Sequence, residues 1–477
     1  EDRKFFTNEK LAQGWRLACK AYPAGNNCAI EIKNVEEAFE VVTDHDNGKK
    51  IDSNERKDAS DANGYLPNIG RINRFDADCC GIAIDIGTST LAASLVSIED
   101  GRTLGTYSAV NPQRVYGADV IARIQAANSG KLEILRELLK TELLCGICDL
   151  VERAAVDKKR IKKLAIACNT TMGHILLGYS CEGLGRYPYT PVNLSTVELT
   201  FSELFNSDYL KAPVTVMPGI STFVGGDIVA GLLSCSFDKL EKACLFIDLG
   251  TNGEIALGNK DRILVSSSAA GPAFEGGNIS CGTGSIAGAI CSIDIADGKT
   301  GYRTISDKEA VGICGTGIIE LASELLKEGF IDETGLLVKE FFKDGFPIKS
   351  RNGESIFRFT QKDIRQLQLA KAAVRAGMDI LIKEYGIGYE DIDNVYLAGG
   401  FGFRLNLQKA ANIGLLPGEL LDRIKLVGNA ALSGAIAYLL DRDAPLRLAA
   451  IIKAAKELAL AEYEEFNSLY PEYMYFR

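Results

Sequence analysis

Histidine is almost missing from this 477-residue chain: His45 and His174 are the only two, which excludes a histidine-rich metal centre. A surplus of basic charge is missing too. Lysine and arginine number 53 against 63 aspartates and glutamates, and the formal net charge of −10 argues against nucleic acid or an anionic membrane as the main partner. No run reads as long and apolar enough to span a bilayer, and the opening residues do not read as a signal peptide. The cysteines, 13 in number, do not read as a disulfide framework. They sit in apolar segments such as KACLFID and AICSID and read as the reduced thiols of a cytoplasmic protein.

What is present suits an enzyme: 47% hydrophobic and 24% charged residues. A chain of 477 residues exceeds the size at which one core stops growing, so at least two lobes are expected. Residues 44–64 are polar, charged and nearly free of large apolar groups, the composition of a linker. The basic run KKRIKK, 158–163, reads as a solvated helix end or a docking patch. KKLAIACN, APVTVMPG and DNVYLAGG suit buried strands of a central sheet. Helical periodicity marks 131–153, 316–328 and the C-terminal PLRLAAIIKAAKELALAEYEEF.

One phrase occurs twice. GIAIDIGTST, 81–90, returns as FIDLGTNGEI, 246–255, and each opens a strand, turn, strand sequence. The chain therefore reads as α/β, with two related lobes whose opening hairpins carry Asp-x-Gly-Thr at the tip. A tight glycine turn lets backbone N–H groups approach an anion, and Thr or Ser hydroxyls add donors. Asp85 and Asp248 beside such turns would repel phosphate unless a divalent cation bridges them, as Mg²⁺ does. Two Asp-containing β-turns of purely structural role are the alternative; the shared Ile-Asp-x-Gly-Thr in a repeated hairpin speaks against it. VYLAGGFGFRLN, 395–406, adds Gly399, Gly400 and Gly402 after a strand, where a flat group such as adenine can lie against backbone.

Other positions keep two readings each. Asn169, Thr170 and Thr171 follow a strand and face a γ-phosphate or cap a helix. His174 reads as a satisfied helix residue. Cys145 and Cys148 have the spacing of a redox or metal pair, but in an apolar helical pattern they read as buried thiols, and Cys79 and Cys80 read as structural.

Together these features resemble the actin, sugar kinase and heat-shock chaperone ATPase superfamily, in which two ribonuclease H-like lobes close on ATP and Mg²⁺. The resemblance implies a first phosphate motif of Asp85, Gly87, Thr88, Ser89 and Thr90, and a second of Asp248, Gly250, Thr251, Asn252 and Gly253. It implies an adenosine motif at Gly399 and Gly400, and Mg²⁺ held by Asp85 and Asp248 through water. In FVGGDIVAG, Asp227 would orient or deprotonate the attacking water, with helix capping as its competing role. GICGTGIIE, 312–320, would be the second connecting helix, with a hinge role.

NPQRVYGADVIARI, CNTTMGHILLG, AAGPAFEGGNI and TQKDIRQLQLAKAAV narrow the resemblance to the reductive activators of corrinoid-dependent enzymes. That family implies an ATPase that helps a low-potential donor reduce cob(II)amide on a corrinoid protein to cob(I)amide, with an iron–sulfur cluster and a possible homodimer. Residues 1–33 would be the end of a plant-type ferredoxin domain, 34–79 a linker, 80–240 the first ATPase lobe and 241–477 the second, its last helices packing back on the first. Cys19, in RLAC, would be the last of four cluster ligands. The three earlier ligands have no counterpart, so a [2Fe–2S] cluster, which needs four thiolates, is expected in a longer protein and not in this chain. Other readings are the activator of a 2-hydroxyacyl-CoA dehydratase or benzoyl-CoA reductase, a small-molecule kinase, and an actin-like or chaperone-like switch.

Overall fold

Alternation decides the first hairpin. In GIAIDI the side chains of Ile82, Ile84 and Ile86 enter one core and that of Ala83 enters another, the two-residue period of a strand covered on both faces. The computed structural model describes residues 79–296, 299–349, 354–399 and 405–477. Cys19, the ferredoxin-like segment, the 34–79 stretch up to residue 78, Gly400 and Gly402 lie outside them.

The first sheet contains β1 (Cys80–Ile86), β2 (Thr90–Ser97), β3 (Thr103–Val110), β4 (Ile161–Cys168), β5 (Val197–Thr200) and β6 (Pro213–Val216), in the order β3-β2-β1-β4-β6-β5. β1, β2 and β3 are antiparallel, and β4 and β6 extend the sheet parallel to β1. β7 (Cys244–Asp248), β8 (Glu254–Gly258) and β9 (Ile263–Ser267) repeat the antiparallel opening. Two small sheets follow, one of β10 (Ala289–Ala296), β11 (Lys299–Thr304) and β12 (Gly312–Ile313), the other of β13 (Phe346–Lys349) and β14 (Ser355–Phe359). β15 (Val395–Ala398) and β16 (Ile424–Gly428) then continue the second large sheet parallel to β7, and β17 (Ala455–Glu457) closes its far edge, in the order β16-β15-β7-β8-β9-β17. The sequence echo is thus a repeat of topology.

Helices fill the layers. α1 (Val120–Ala126), α2 (Leu132–Arg153) and α3 (Thr170–Leu177) cover the outer face of the first sheet. α4 (Gly226–Ser234) lies between the two sheets. α5 (Gly315–Lys327), α6 (Gln361–Tyr385) and α7 (Leu407–Asn412) join the core on the outer face of the second. α8 (Ala430–Leu440) and α9 (Ala444–Ala454) return to the central layer. The inner faces offer small residues there: Ala83, Ala92, Ala165 and Ala167 from the first sheet, Ala256 and Ala398 from the second. At Gly434 a Cβ would stand 1.9 Å from the Ala230 carbonyl oxygen, so the α4–α8 crossing admits glycine alone.

Three local expectations are corrected. KKRIKK is not a helix end: Lys158–Arg160 form a short turn capped by Asp157, and the rest opens β4. The C-terminal helical pattern breaks at Ala455, because Ala455–Glu457 add to the open edge of β9. Cys145 is exposed and Cys148 partly so, because they lie on the side of α2 away from buried Leu143, Ile147 and Leu150, while Cys79 and Cys80 are buried.

Candidate functional site

Asp85, the last residue but one of β1, and Asp248, the last of β7, lie beside parallel neighbours: Asp85 is level with Ala167 of β4, and Asp248 with Ala398 of β15. In open α/β sheets the crevice beyond such carboxyl ends is where ligands bind. The central helices aim their N-termini there. Asp227 lies in the first turn of α4, its Oδ1 accepting the Ile228 N–H at 2.8 Å. Asn429 caps α8 and donates its side-chain amide to Asp85 Oδ2 at 2.9 Å.

The acids feel one another. Burial pushes Asp85 up to about 7, against the Asn429 hydrogen bond and reinforced by Asp227. Burial likewise pushes Asp227 up to about 6, and Asp248 up to about 8 with Asp227, Asp85 and Glu275 adding to it. Glu254 faces Asp248 directly across the β7–β8 ladder; burial, then Asp227 and Asp248, hold it well above the usual carboxylate range. A site where desolvated acids repel one another fits a divalent cation and the groups that bring one. Among the described residues no three His, Cys, Asp or Glu side chains converge closely enough to chelate an ion by themselves. An ion here would keep water and phosphate oxygens as ligands, the habit of Mg²⁺.

The turns supply hydroxyls. Ser89 Oγ and Thr251 Oγ1, one from each sheet's turn, both donate to Glu275 Oε2, at 2.9 and 2.8 Å. Thr88 is buried; its Oγ1 accepts the Asn169 side-chain amide at 3.0 Å, while Asn169 Oδ1 caps α3 at the Met172 N–H. Of its two expected roles Asn169 fills the cap of a helix, and its amide also braces the first turn through Thr88. Gly250 runs beside both acids, where a Cβ would be in ordinary contact, 3.7 Å from Asp248 Oδ1 and 3.8 Å from Glu275 Oε1. Gly399, at φ +110°, brings backbone up to Asp248, with 3.2 Å between its would-be Cβ and Oδ1.

Other residues of the motifs hold the turns together. The Gly87 N–H donates to the Thr90 carbonyl at 2.9 Å, so it closes its own turn. The Gly253 carbonyl accepts the Ser268 N–H and hydroxyl, and Asn252 bonds to Glu254. Thr170 is turned away: its hydroxyl donates to the Ser221 carbonyl at 2.7 Å. His174 is satisfied, Nδ1 bonded to the Thr170 carbonyl and Nε2 accepting the Val192 N–H.

Sequence reasoning missed Glu254, Glu275, Asn429 and Arg123. Arg123 is fully buried beneath the first turn, where its guanidinium donates to the carbonyls of Thr88 and Gly117 and to Gln113 Oε1. Burial lowers it to about 10, so it carries its charge at neutral pH. Arg123 and Glu275 belong to NPQRVYGADVIARI and AAGPAFEGGNI, strings that mark the resemblance; only the fold brings them to the turns.

Residues 80–240 match the model of the RACo middle region, and 242–477 that of the C-terminal domain of RACo, the ASKHA domain. The corrinoid activation enzyme RamQ of Eubacterium limosum is 34% identical over 419 residues, 83% of this chain and 70% of that protein. The [Co(II) methylated amine-specific corrinoid protein] reductase of Methanosarcina barkeri is 29% identical over 431 residues, 82% of this chain and 76% of the reductase. The solved structure of a reductive activator for corrinoid,iron-sulfur protein matches with a TM-score of 0.76 at 34% identity, over 85% of this chain and 67% of that one. This chain therefore belongs to the RACo family of reductive activators, and its C-terminal half carries the family's ASKHA domain.

Proposed function

We propose that this chain binds and hydrolyses ATP with Mg²⁺ and uses that cycle to activate a corrinoid protein reductively. The reduction adds one electron from a low-potential donor to cob(II)amide and yields cob(I)amide. The observation that carries the reading is the convergence of Asp85 and Asp248, from the matching ends of two sheets, with Asp227 on the helix between them. The names of the relatives support the corrinoid partner.

Within that reading Asp85 and Asp248 hold water around the magnesium ion, which neutralises phosphate charge when bound. Ser89 and Thr251 donate to phosphate oxygens, and Thr88 is held in place by Asn169. Gly399 would take the adenosine side of the nucleotide, and the same role for Gly400 rests on the family resemblance alone. Asp227 orients the attacking water; phosphoryl transfer depends mostly on such positioning and on charge stabilisation. Cys19 as a cluster ligand rests on the family resemblance alone.

Two measurements test this. ATP hydrolysis should rise when a cob(II)amide-loaded corrinoid protein is added, and hydrolysis indifferent to that protein would remove the activator reading. Asp85→Ala and Asp248→Ala should each weaken Mg–ATP binding at least about tenfold, about 1.4 kcal/mol, while the chain stays folded. Unchanged titrations for both would remove the clamp.

A further inference from the structure

Glu275 stands in the cleft with no part in the steps above. It ends the short turn Pro272–Glu275, and one of its oxygens, Oε2, accepts a hydroxyl from each sheet: Ser89 Oγ at 2.9 Å and Thr251 Oγ1 at 2.8 Å. The carboxylate is a direct polar bridge between the two turns. It is half-buried, and it adds to the upward push on Asp248.

An anionic oxygen that takes one O–H from each turn is also what a phosphoryl oxygen held between the turns requires. Each hydroxyl has a single proton, so Ser89 and Thr251 cannot donate to Glu275 and to phosphate at once. Like charge adds to the exclusion, because a carboxylate and a phosphate cannot share that spot at low cost. Resting on the ATP reading, we propose that Glu275 is a positioning residue that competes with the nucleotide's phosphate for Ser89 and Thr251. It holds the two turns at the spacing of a bridged oxyanion and gives way when a phosphate takes its place. Glu275 thereby sets nucleotide affinity below what the two turns alone would give. Only a ligand that carries phosphate senses it.

Calorimetric titration of the unaltered chain, Glu275→Gln and Glu275→Ala tests this, with a non-hydrolysable ATP analogue plus Mg²⁺ and with adenosine. Glu275→Ala should bind the analogue about tenfold tighter, the scale of one freed charge-assisted hydrogen bond. Glu275→Gln, which keeps an acceptor but not the charge, should show a smaller gain, and adenosine should bind all three alike. Adding Ser89→Ala and Thr251→Ala to Glu275→Ala should abolish the gain. Equal or weaker analogue binding in both single variants overturns the competition, as does a gain that survives loss of the two hydroxyls. An unaltered chain that binds no nucleotide overturns the ATP reading itself, so the two failures are distinguishable. If Glu275→Ala does not fold, the isosteric Glu275→Gln carries the test.

Discussion

Arg123 shows how much one residue can hold without touching a ligand. Its fully buried guanidinium spends its donors on the Thr88 and Gly117 carbonyls, Gln113 and the Met172 sulfur, and so fixes the first turn from below. Lysine has no planar fork to reach these acceptors together. Arg123→Lys should therefore weaken Mg–ATP binding several-fold and lower stability by about 2 kcal/mol, the range for losing buried hydrogen bonds to a charged group; titration and urea unfolding check both. The acids set a pH dependence. Asp85 and Asp248 rise from 3.8 to about 7 and about 8, so between about pH 4 and pH 8 the folded chain binds more protons than the unfolded one. Stability of the unliganded chain should fall as pH rises through that window, and urea midpoints should flatten in Asp85→Asn and Asp248→Asn. If these acids serve Mg–ATP as proposed, binding should run the other way and tighten from about pH 6 to about pH 8. The glycines, hydroxyls and aspartates of the doubled phrase were legible in the chain because a turn is a local object. Glu275 and Asn429 were not, because their partners Ser89 and Asp85 lie far away in sequence.

At the scale of elements, the α4–α8 crossing carries the site, since these two helices present Asp227 and Asn429. Gly434→Ala would drive a methyl group into the Ala230 carbonyl and part the helices. The expected cost is about 1–3 kcal/mol in stability, with nucleotide affinity falling alongside, measured by denaturation and titration. Lys409 of α7 ties the segment after the Gly399 turn to α5. Its Nζ lies 2.9 Å from Glu320, 3.2 Å from Glu324 and 3.2 Å from Asp294. Lys409→Met would leave the buried Glu320 and Glu324 without that cation and should cost about 3–5 kcal/mol in unfolding experiments. Strand and helix identity was readable for 131–153 and 316–328, observed as Leu132–Arg153 and Gly315–Lys327, because long periodic segments state their own period. Ala455–Glu457 was not readable. Its residues favour helix, and an open sheet edge overrode them.

For the whole molecule, the central layer makes one core from two sheets, since Ala83 and Ala165 of the first share a cluster with Phe246 and Ala256 of the second. A further tie runs outside it: Ser221, in the loop before α4, donates to Glu457 on β17 at 2.7 Å. A ligand gripped by both turns should therefore stabilise the molecule as a unit. Mg–ATP at about 100 times its Kd should add about 2.7 kcal/mol in a single thermal transition, and Asp85→Ala should lose that shift. Among the described residues no helix is long and apolar enough to cross a membrane.

The chain alone determined the repeated hairpin, the acidic glycine-threonine turns and the family, because each is written in contiguous residues whose local chemistry needs no distant partner. Only the tertiary structure decided that Asp85, Asp227 and Asp248 share one desolvated cleft, that Arg123 supports the first turn from beneath, and that Glu275 bridges both turns. Those are contacts across sheets. Their energies come from burial and from charge brought close, quantities that exist only once the chain has closed on itself.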